Sequence, residues 1–176
     1  MVNRYKIAEP DNQLFSIFLR DESKTLAFGQ GLARLFQESG IYPAILFKGE
    51  LGAGKTTMIR GIVNALPGGQ DSEVSSPSFN ILNIYPVEPE VAHFDLYRLE
   101  GRNMDPESED ILLDRTRLVL VEWSEFLPEW AVPDNVLFIN LRIDRSGRLA
   151  EIKAIGDTGD LAKHIENSLQ SDLTAL

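Results

Sequence analysis

The chain has 176 residues, enough for about one domain with a core of its own. Apolar residues make up 43% and charged residues 25%, and no segment reaches the ~20 apolar residues of a membrane helix, which excludes a disordered chain, a collagen and a helical membrane protein. Cysteine is absent, which excludes disulfides and thiol chemistry, and 27 acidic against 17 basic residues (net charge −10) disfavour free-standing binding to nucleic acid.

Residues 1–13 read as an irregular arm with no apolar stretch of the signal-peptide kind, so the cytoplasm is the expected location. Residues 14–176 read as one domain. Its first strand is expected over 14–20, followed by a helix capped by Asp21 or Ser23 that runs to about Ser39 and closes on Gly40. Ala44 to Phe47 is a short, wholly apolar strand of the kind covered by helices on both faces. A glycine-rich turn leads from it into a helix over about Lys55 to Leu66, ended by Pro67-Gly68-Gly69. Strands follow over Phe79–Pro86 and Val91–Leu96. Asp105-Pro106 starts a helix with Ile111, Leu112 and Leu113 on its buried face. Leu118 to Val121 is a second wholly apolar strand, Val136–Ile143 and Leu149–Ile155 form a hairpin, and 158–171 is a closing helix. Strands alternating with helices predict an α/β layer architecture.

Gly49-Glu50-Leu51-Gly52-Ala53-Gly54-Lys55-Thr56 fits the pattern G-x-x-x-x-G-K-[ST], and it stands between a buried strand and a helix as that pattern requires. The chemistry calls for each residue type. Glycines let the loop from Glu50 through Gly52, Ala53 and Gly54 bend so that backbone N–H groups converge on phosphate oxygens. The helix N-terminus adds roughly half a positive charge. Lys55 supplies a full charge for the β- and γ-phosphates, and the Thr56 hydroxyl is a hard oxygen ligand for Mg²⁺. A guanine-reading Asn-Lys-x-Asp segment does not occur, which favours ATP over GTP.

A phosphate loop needs a carboxylate at the end of a neighbouring strand to hold Mg²⁺ or its waters. Two residues qualify: Glu122, after the apolar strand 118–121, and Asp95, in the strand from Val91. Ser75-Ser76-Pro77-Ser78-Phe79 lies between the phosphate loop and these carboxylates. Its hydroxyls are placed either to touch the γ-phosphate or its metal, or simply to form a turn before a strand.

The combination of GELGAGKTT at 49–57, SSPSFNILNIY at 75–85, HFDLYRL at 93–99 and VEWSE at 121–125 resembles the TsaE (YjeE) family, the ATPase component of bacterial tRNA threonylcarbamoyladenosine biosynthesis. The similarity spans about residues 20–156. It implies a three-layer P-loop NTPase fold with a mostly parallel central sheet and antiparallel additions. It implies ATP and Mg²⁺ as ligands, TsaD and TsaB as protein partners, and tRNA met indirectly. By this resemblance Lys55 and Thr56 take the phosphate and metal roles and Thr57 holds the α-phosphate side. Glu122 matches the metal-linked glutamate and Asp95 the catalytic-site aspartate. Ser78 stands where the family usually has Thr, with the hydroxyl kept. Glu22, Thr25 and Arg148 become candidate nucleotide contacts. Trp123 follows the glutamate as in the family, and Ser124 replaces a common Pro.

Of the two histidines, His93 shares a strand face with Asp95, where a structural hydrogen bond is expected rather than a general-base role, and His164 is expected in solvent. No His/Asp/Glu cluster has transition-metal spacing. Arg98 and Arg115 or Arg117 are candidates for stabilising charge on a transferred phosphate. Trp123, Phe126, Leu127 and Trp130 read as core, with a partner surface as the alternative. ATP hydrolysis is the favoured activity. A nucleotide-gated assembly module and a small-molecule kinase are the alternatives, the kinase lacking an arginine-rich lid.

Overall fold

The computed structural model describes residues 14–99, 104–114, 116–156, 158, 161 and 163–168. The expected arm 1–13, Arg115 and much of the closing helix lie outside these residues, although 161 and 163–168 are helical. In chain order the elements are β1 (Leu14–Leu19), α1 (Glu22–Ser39), β2 (Ala44–Lys48), α2 (Lys55–Ala65), β3 (Leu82–Tyr85), β4 (Val91–Asp95), α3 (Pro106–Leu113), β5 (Leu118–Glu122), β6 (Val136–Asp144) and β7 (Gly147–Ile155). Among the described residues no helix is long and apolar enough to cross a membrane.

The strands form one sheet in the order β1-β7-β6-β2-β5-β4-β3. The inner strands β6, β2, β5 and β4 run parallel to one another. The edges are antiparallel: β7 and β1 on one side, β3 on the other. This is the mostly parallel sheet with antiparallel additions that the resemblance implied.

Strand periodicity sorts the apolar runs into two cores. Ile45 and Phe47 of β2, and Leu118 and Leu120 of β5, face one side and pack with Phe28, Leu32 and Phe36 of α1 and Met58, Ile59 and Ile62 of α2. Ala44, Leu46, Val119 and Val121 face the other side and pack with Leu112 of α3, Leu127 and Ala131. Both faces of the inner strands are therefore covered, which explains why these strands are apolar without alternation.

The Asp21 side chain caps α1, accepting from Lys24 N at 2.9 Å, and Gly40 closes the helix at φ 67°. Asp105 caps α3 in the same way through Ser108 N. Two expectations are corrected. The strand expected over 79–86 is confined to Leu82–Tyr85, because Asn80 N and Ile81 N both turn back to Pro77 O (3.0 and 2.7 Å) and Ile81 adopts φ 69°. Leu113 is not buried: Leu112 and Ser108, four residues apart, form the inward stripe of α3, and Leu113 is 41% exposed.

α1 and α2 cross backbone to backbone. A Cβ on Gly61 would lie 2.3 Å from Leu26 O and 3.2 Å from Gly29 Cα, and a Cβ on Gly29 would lie 2.2 Å from Met58 O. This crossing seats α2, and with it the phosphate loop, against the sheet. Alanine gains up to about 1 kcal/mol in helix propensity over glycine, but here the new methyl has nowhere to go, and overpacking costs about 1–3 kcal/mol. Gly61→Ala is therefore expected to be net destabilising, read as a lower urea midpoint with unchanged slope.

Candidate functional site

The C-terminal ends of β2, β5 and β4 lie side by side, and β2 leads directly into the glycine-rich turn and α2. Gly54 caps α2 at φ 104°, a conformation that side chains other than glycine rarely adopt. The first turn of an 11-residue helix, whose N–H groups have no intrahelical acceptors, thus opens at the C-terminal ends of the inner strands. The loop bounds a cleft of about 450 Å³.

Lys55 is only 4% exposed. Its ammonium donates to the carbonyls of Gly49 (2.6 Å) and Glu50 (3.1 Å). It also lies 3.9 Å from the ring centroid of Trp123. Burial holds its pKa below the ordinary lysine value, and the carboxylates of Glu122, Glu125, Asp95 and Glu50 oppose that shift. Trp123 reaches the lysine because it adopts φ 57° directly after Glu122, turning the chain out of β5. Its ring is also in contact with Tyr97, with centroids 4.8 Å apart.

The two carboxylates are neighbours in register, Asp95 beside Glu122. Glu122 Oε1 accepts from the Thr56 hydroxyl at 2.7 Å and is 3.0 Å from His93 Nε2. Asp95 accepts from the Ser76 hydroxyl through Oδ2 and from Tyr97 N through Oδ1 at 3.0 Å. A hydroxyl and two carboxylates form a hard, all-oxygen donor set, which suits Mg²⁺. Among the described residues no group of three or more His, Cys, Asp or Glu could hold a metal ion. A cation here would depend on phosphate oxygens, as magnesium–nucleotide complexes do.

The cleft brings together Glu22, Gly52, Gly54, Lys55, Thr56, Thr57, Ser78, Asp95, Glu122 and Arg148 of the sequence-expected residues. Arg148 is the second residue of β7, and a Cβ on Gly54 would lie 3.1 Å from its Nε, a buried atom with no hydrogen-bond partner among the described residues. Three expected residues do not line the cleft. Glu50 has an exposed side chain and takes part through its carbonyl, Ala53 is buried, and Thr25 is buried with its hydroxyl on Asp21 O. Thr25 instead lies beside Gly54, its methyl 3.4 Å from where a Cβ there would be.

Ser76 and Tyr97 line the cleft without having been singled out as site residues. Ser76 was legible only as one of several hydroxyls in S-S-P-S, and nothing in the sequence separates it from Ser75. Arg98 lines the cleft and sits over the Phe79 ring, 4.6 Å from its centroid, whereas Arg117 is paired with Glu90 and Asp114. Leu127 is core as expected, but Trp130 is 60% exposed. His164 is exposed.

The sequence model of the TsaE family, described as threonylcarbamoyl adenosine biosynthesis protein, matches residues 19–150. Relatives bearing the name tRNA threonylcarbamoyladenosine biosynthesis protein TsaE include that of Streptomyces coelicolor, 37% identical over 78% of this chain and 84% of that protein. Those of Rickettsia conorii (32% identical, 88% and 82%) and Haemophilus influenzae (29% identical, 81% and 90%) are similar along comparable lengths. The crystal structure of Bacillus subtilis YdiB superimposes with a TM-score of 0.66 over 90% of this chain and 98% of that one, at 21% identity, a likeness of fold. From the family match over 19–150 and the identity to these relatives, the chain belongs to the TsaE family of threonylcarbamoyl adenosine biosynthesis proteins.

Proposed function

We propose that the chain binds ATP with Mg²⁺ in this cleft and hydrolyses it. That turnover serves threonylcarbamoylation of the adenosine beside the anticodon of tRNA, in the cytoplasm and together with TsaD and TsaB. One observation carries the reading: a buried lysine, a hydroxyl and two strand-end carboxylates converge on one helix N-terminus, beside a loop whose amides suit phosphate. Residues 14–176 act as one unit, and tRNA is met through the partners, since a net charge of −10 opposes a phosphate backbone.

In this reading the loop amides and Lys55 hold the β- and γ-phosphates, Thr57 lies on the α-phosphate side, and Arg148, Glu22 and Thr25 border the rest of the nucleotide. Thr56, Glu122 and Asp95 hold the cation or its waters. Bound Mg²⁺ would supply charge neutralisation of the phosphate oxygens. Asp95 or Glu122 orients the attacking water, and Ser78 faces the γ-phosphate side. Lys55 gives up its two carbonyl partners for phosphate oxygens when the nucleotide enters.

A charge-assisted hydrogen bond is worth about 1.5–3 kcal/mol, so Lys55→Ala should weaken ATP binding by roughly 10- to 100-fold and abolish phosphate release. Titration calorimetry and a phosphate assay with TsaD and TsaB present check both, and normal hydrolysis by this variant would overturn the mechanism.

The lowered Lys55 pKa fixes a sign for pH dependence. In the free protein the ammonium loses its proton below the ordinary lysine range. Bound phosphates favour the charged form and raise that pKa. ATP binding must then take up a proton at alkaline pH, and affinity should fall as pH rises through the free-protein value. Calorimetry in buffers of differing ionisation enthalpy measures the uptake.

A second reading, a nucleotide-gated assembly module, is favoured by one observation: Lys55, Asp95 and Glu122 are all hydrogen-bonded to other groups of the protein. Nucleotide binding must therefore rearrange them. Glu122→Gln separates the readings. Hydrolysis requires that this variant bind ATP and join TsaD and TsaB but lose turnover by roughly 100-fold, so that repeated modification cycles stop. Unimpaired cycling would favour the gating reading.

A further inference from the structure

Ala92 and Phe94 face the core that holds α3, so His93 between them projects to the opposite side, under the first turn of α2. His93 is completely buried and lies diagonally across from Glu122 on the neighbouring strand. The Nε2–Oε1 distance is 3.0 Å. An ionised carboxylate can only accept, so Nε2 carries the hydrogen. The other ring nitrogen, Nδ1, is buried and has no hydrogen-bond partner among the described residues, which suits a bare lone pair and not an N–H.

Glu122 Oε1 thus receives two donors from different layers, Thr56 from the helix and His93 from the sheet. The Thr56 bond belongs to the phosphate loop and must adapt when the loop takes its ligand. The His93 bond rests on the β4–β5 register and is independent of the loop. The imidazole is in turn stacked on Tyr85, with centroids 6.2 Å apart and planes at 25°. The Tyr85 hydroxyl and the Asn83 amide both donate to Ser75 O, each at 3.2 Å, so the ring that backs His93 also fixes the start of the segment carrying Ser76 and Ser78.

We propose that His93 is a positioning residue for ATP hydrolysis, its imidazole N–H holding the Glu122 carboxylate in its working orientation before and during nucleotide binding. The proposal rests on the hydrolysis reading and deepens it. An outer partner that orients a metal-binding group typically changes metal affinity or activity by about 10- to 100-fold when removed.

The test uses the full chain with His93→Phe, which keeps a buried ring without a donor, and His93→Gln, which restores an N–H at similar reach. In the ligand-free wild type, a two-bond ¹H–¹⁵N spectrum is expected to show a single His93 tautomer with hydrogen on Nε2, and Glu122→Ala is expected to shift that resonance. Hydrogen on Nδ1 would overturn the proposal without reference to activity. In turnover, His93→Phe is expected to lower kcat by about 10- to 100-fold and to raise the Mg²⁺ concentration needed for half-maximal rate, with the Kd for metal-free ATP unchanged, while His93→Gln recovers most of the loss. A folded His93→Phe protein with wild-type kcat and Mg²⁺ dependence would overturn the proposal. So would equal losses in both variants that merely track their melting temperatures. Wild-type protein that binds no ATP would end the hydrolysis reading and this proposal with it, whereas insensitive variants beside an active wild type would end this proposal alone.

Discussion

An ammonium group taken out of water loses several kcal/mol of hydration unless the protein gives it partners of opposite polarity. Lys55, at 4% exposure, is such a group, and much of the site can be understood as what its burial requires. Two carbonyls of the preceding loop accept its hydrogens, the face of Trp123 covers it, and the charges of Glu122 and Asp95 lie at the ends of β5 and β4, the next two strands beyond β2. None of these partners is free to be elsewhere. The carbonyls of Gly49 and Glu50 point inward only because the loop is bent. Trp123 reaches the lysine only because its backbone leaves β5 in the left-handed region, an unusual conformation for a large side chain. The carboxylates stand side by side to one side of the lysine because β5 and β4 follow β2 in the sheet order.

The same arrangement leaves the polar groups of the cleft bonded to one another. Thr56 binds Glu122, Ser76 and Tyr97 N bind Asp95, and Lys55 binds its own loop. A ligand entering such a site exchanges one set of bonds for another, so its net affinity is the difference between two large electrostatic sums. Segment 75–81 is drawn into this exchange. It is anchored at Ser75 and Ser76, turns sharply at Pro77, and rejoins the sheet through Ile81, a β-branched residue at φ 69°. Phe79, at the tip, is 82% exposed and covered on one face by Arg98. Two contacts join the cleft to this segment: Asp95, whose carboxylate accepts from Ser76 and from the Tyr97 amide, and Arg98, which lines the cleft and lies over the Phe79 ring.

How far each feature was legible in the sequence follows from how local its cause is. The phosphate loop is contiguous, and its residue types are dictated by backbone bending and helix-end polarity, so it could be read directly. The two inner strands 44–47 and 118–121 were legible because burial on both faces leaves no room for polar residues. The carboxylates could be nominated from their place at strand ends, but their side-by-side register depends on the order of strands, which no local pattern encodes. The His93–Glu122 bond joins residues 29 positions apart, and only the parallel pairing of β4 with β5 brings them together. The shortening of β3 was hidden for the opposite reason: 79–81 has strand-like composition, and the turn back to Pro77 O overrides it.

Charge is distributed to match this design. Of 17 basic residues in a chain of net charge −10, Lys55, Arg98 and Arg148 converge on one cleft that also holds Glu22 and the strand-end acidic pair Asp95 and Glu122. The acidic pair limits what the three cations can attract. An anion alone gains from the cations and the helix end but meets two carboxylates, whereas a polyphosphate carrying a divalent cation presents each sign to its complement. In the proposed reading, Glu122 is thus what would set a metal-bound polyphosphate apart from a bare one. Its Oε1 is bonded to Thr56 on the helix and to His93 in the sheet, so hydrogen bonds made inside the protein fix where that negative charge stands in the surface cleft.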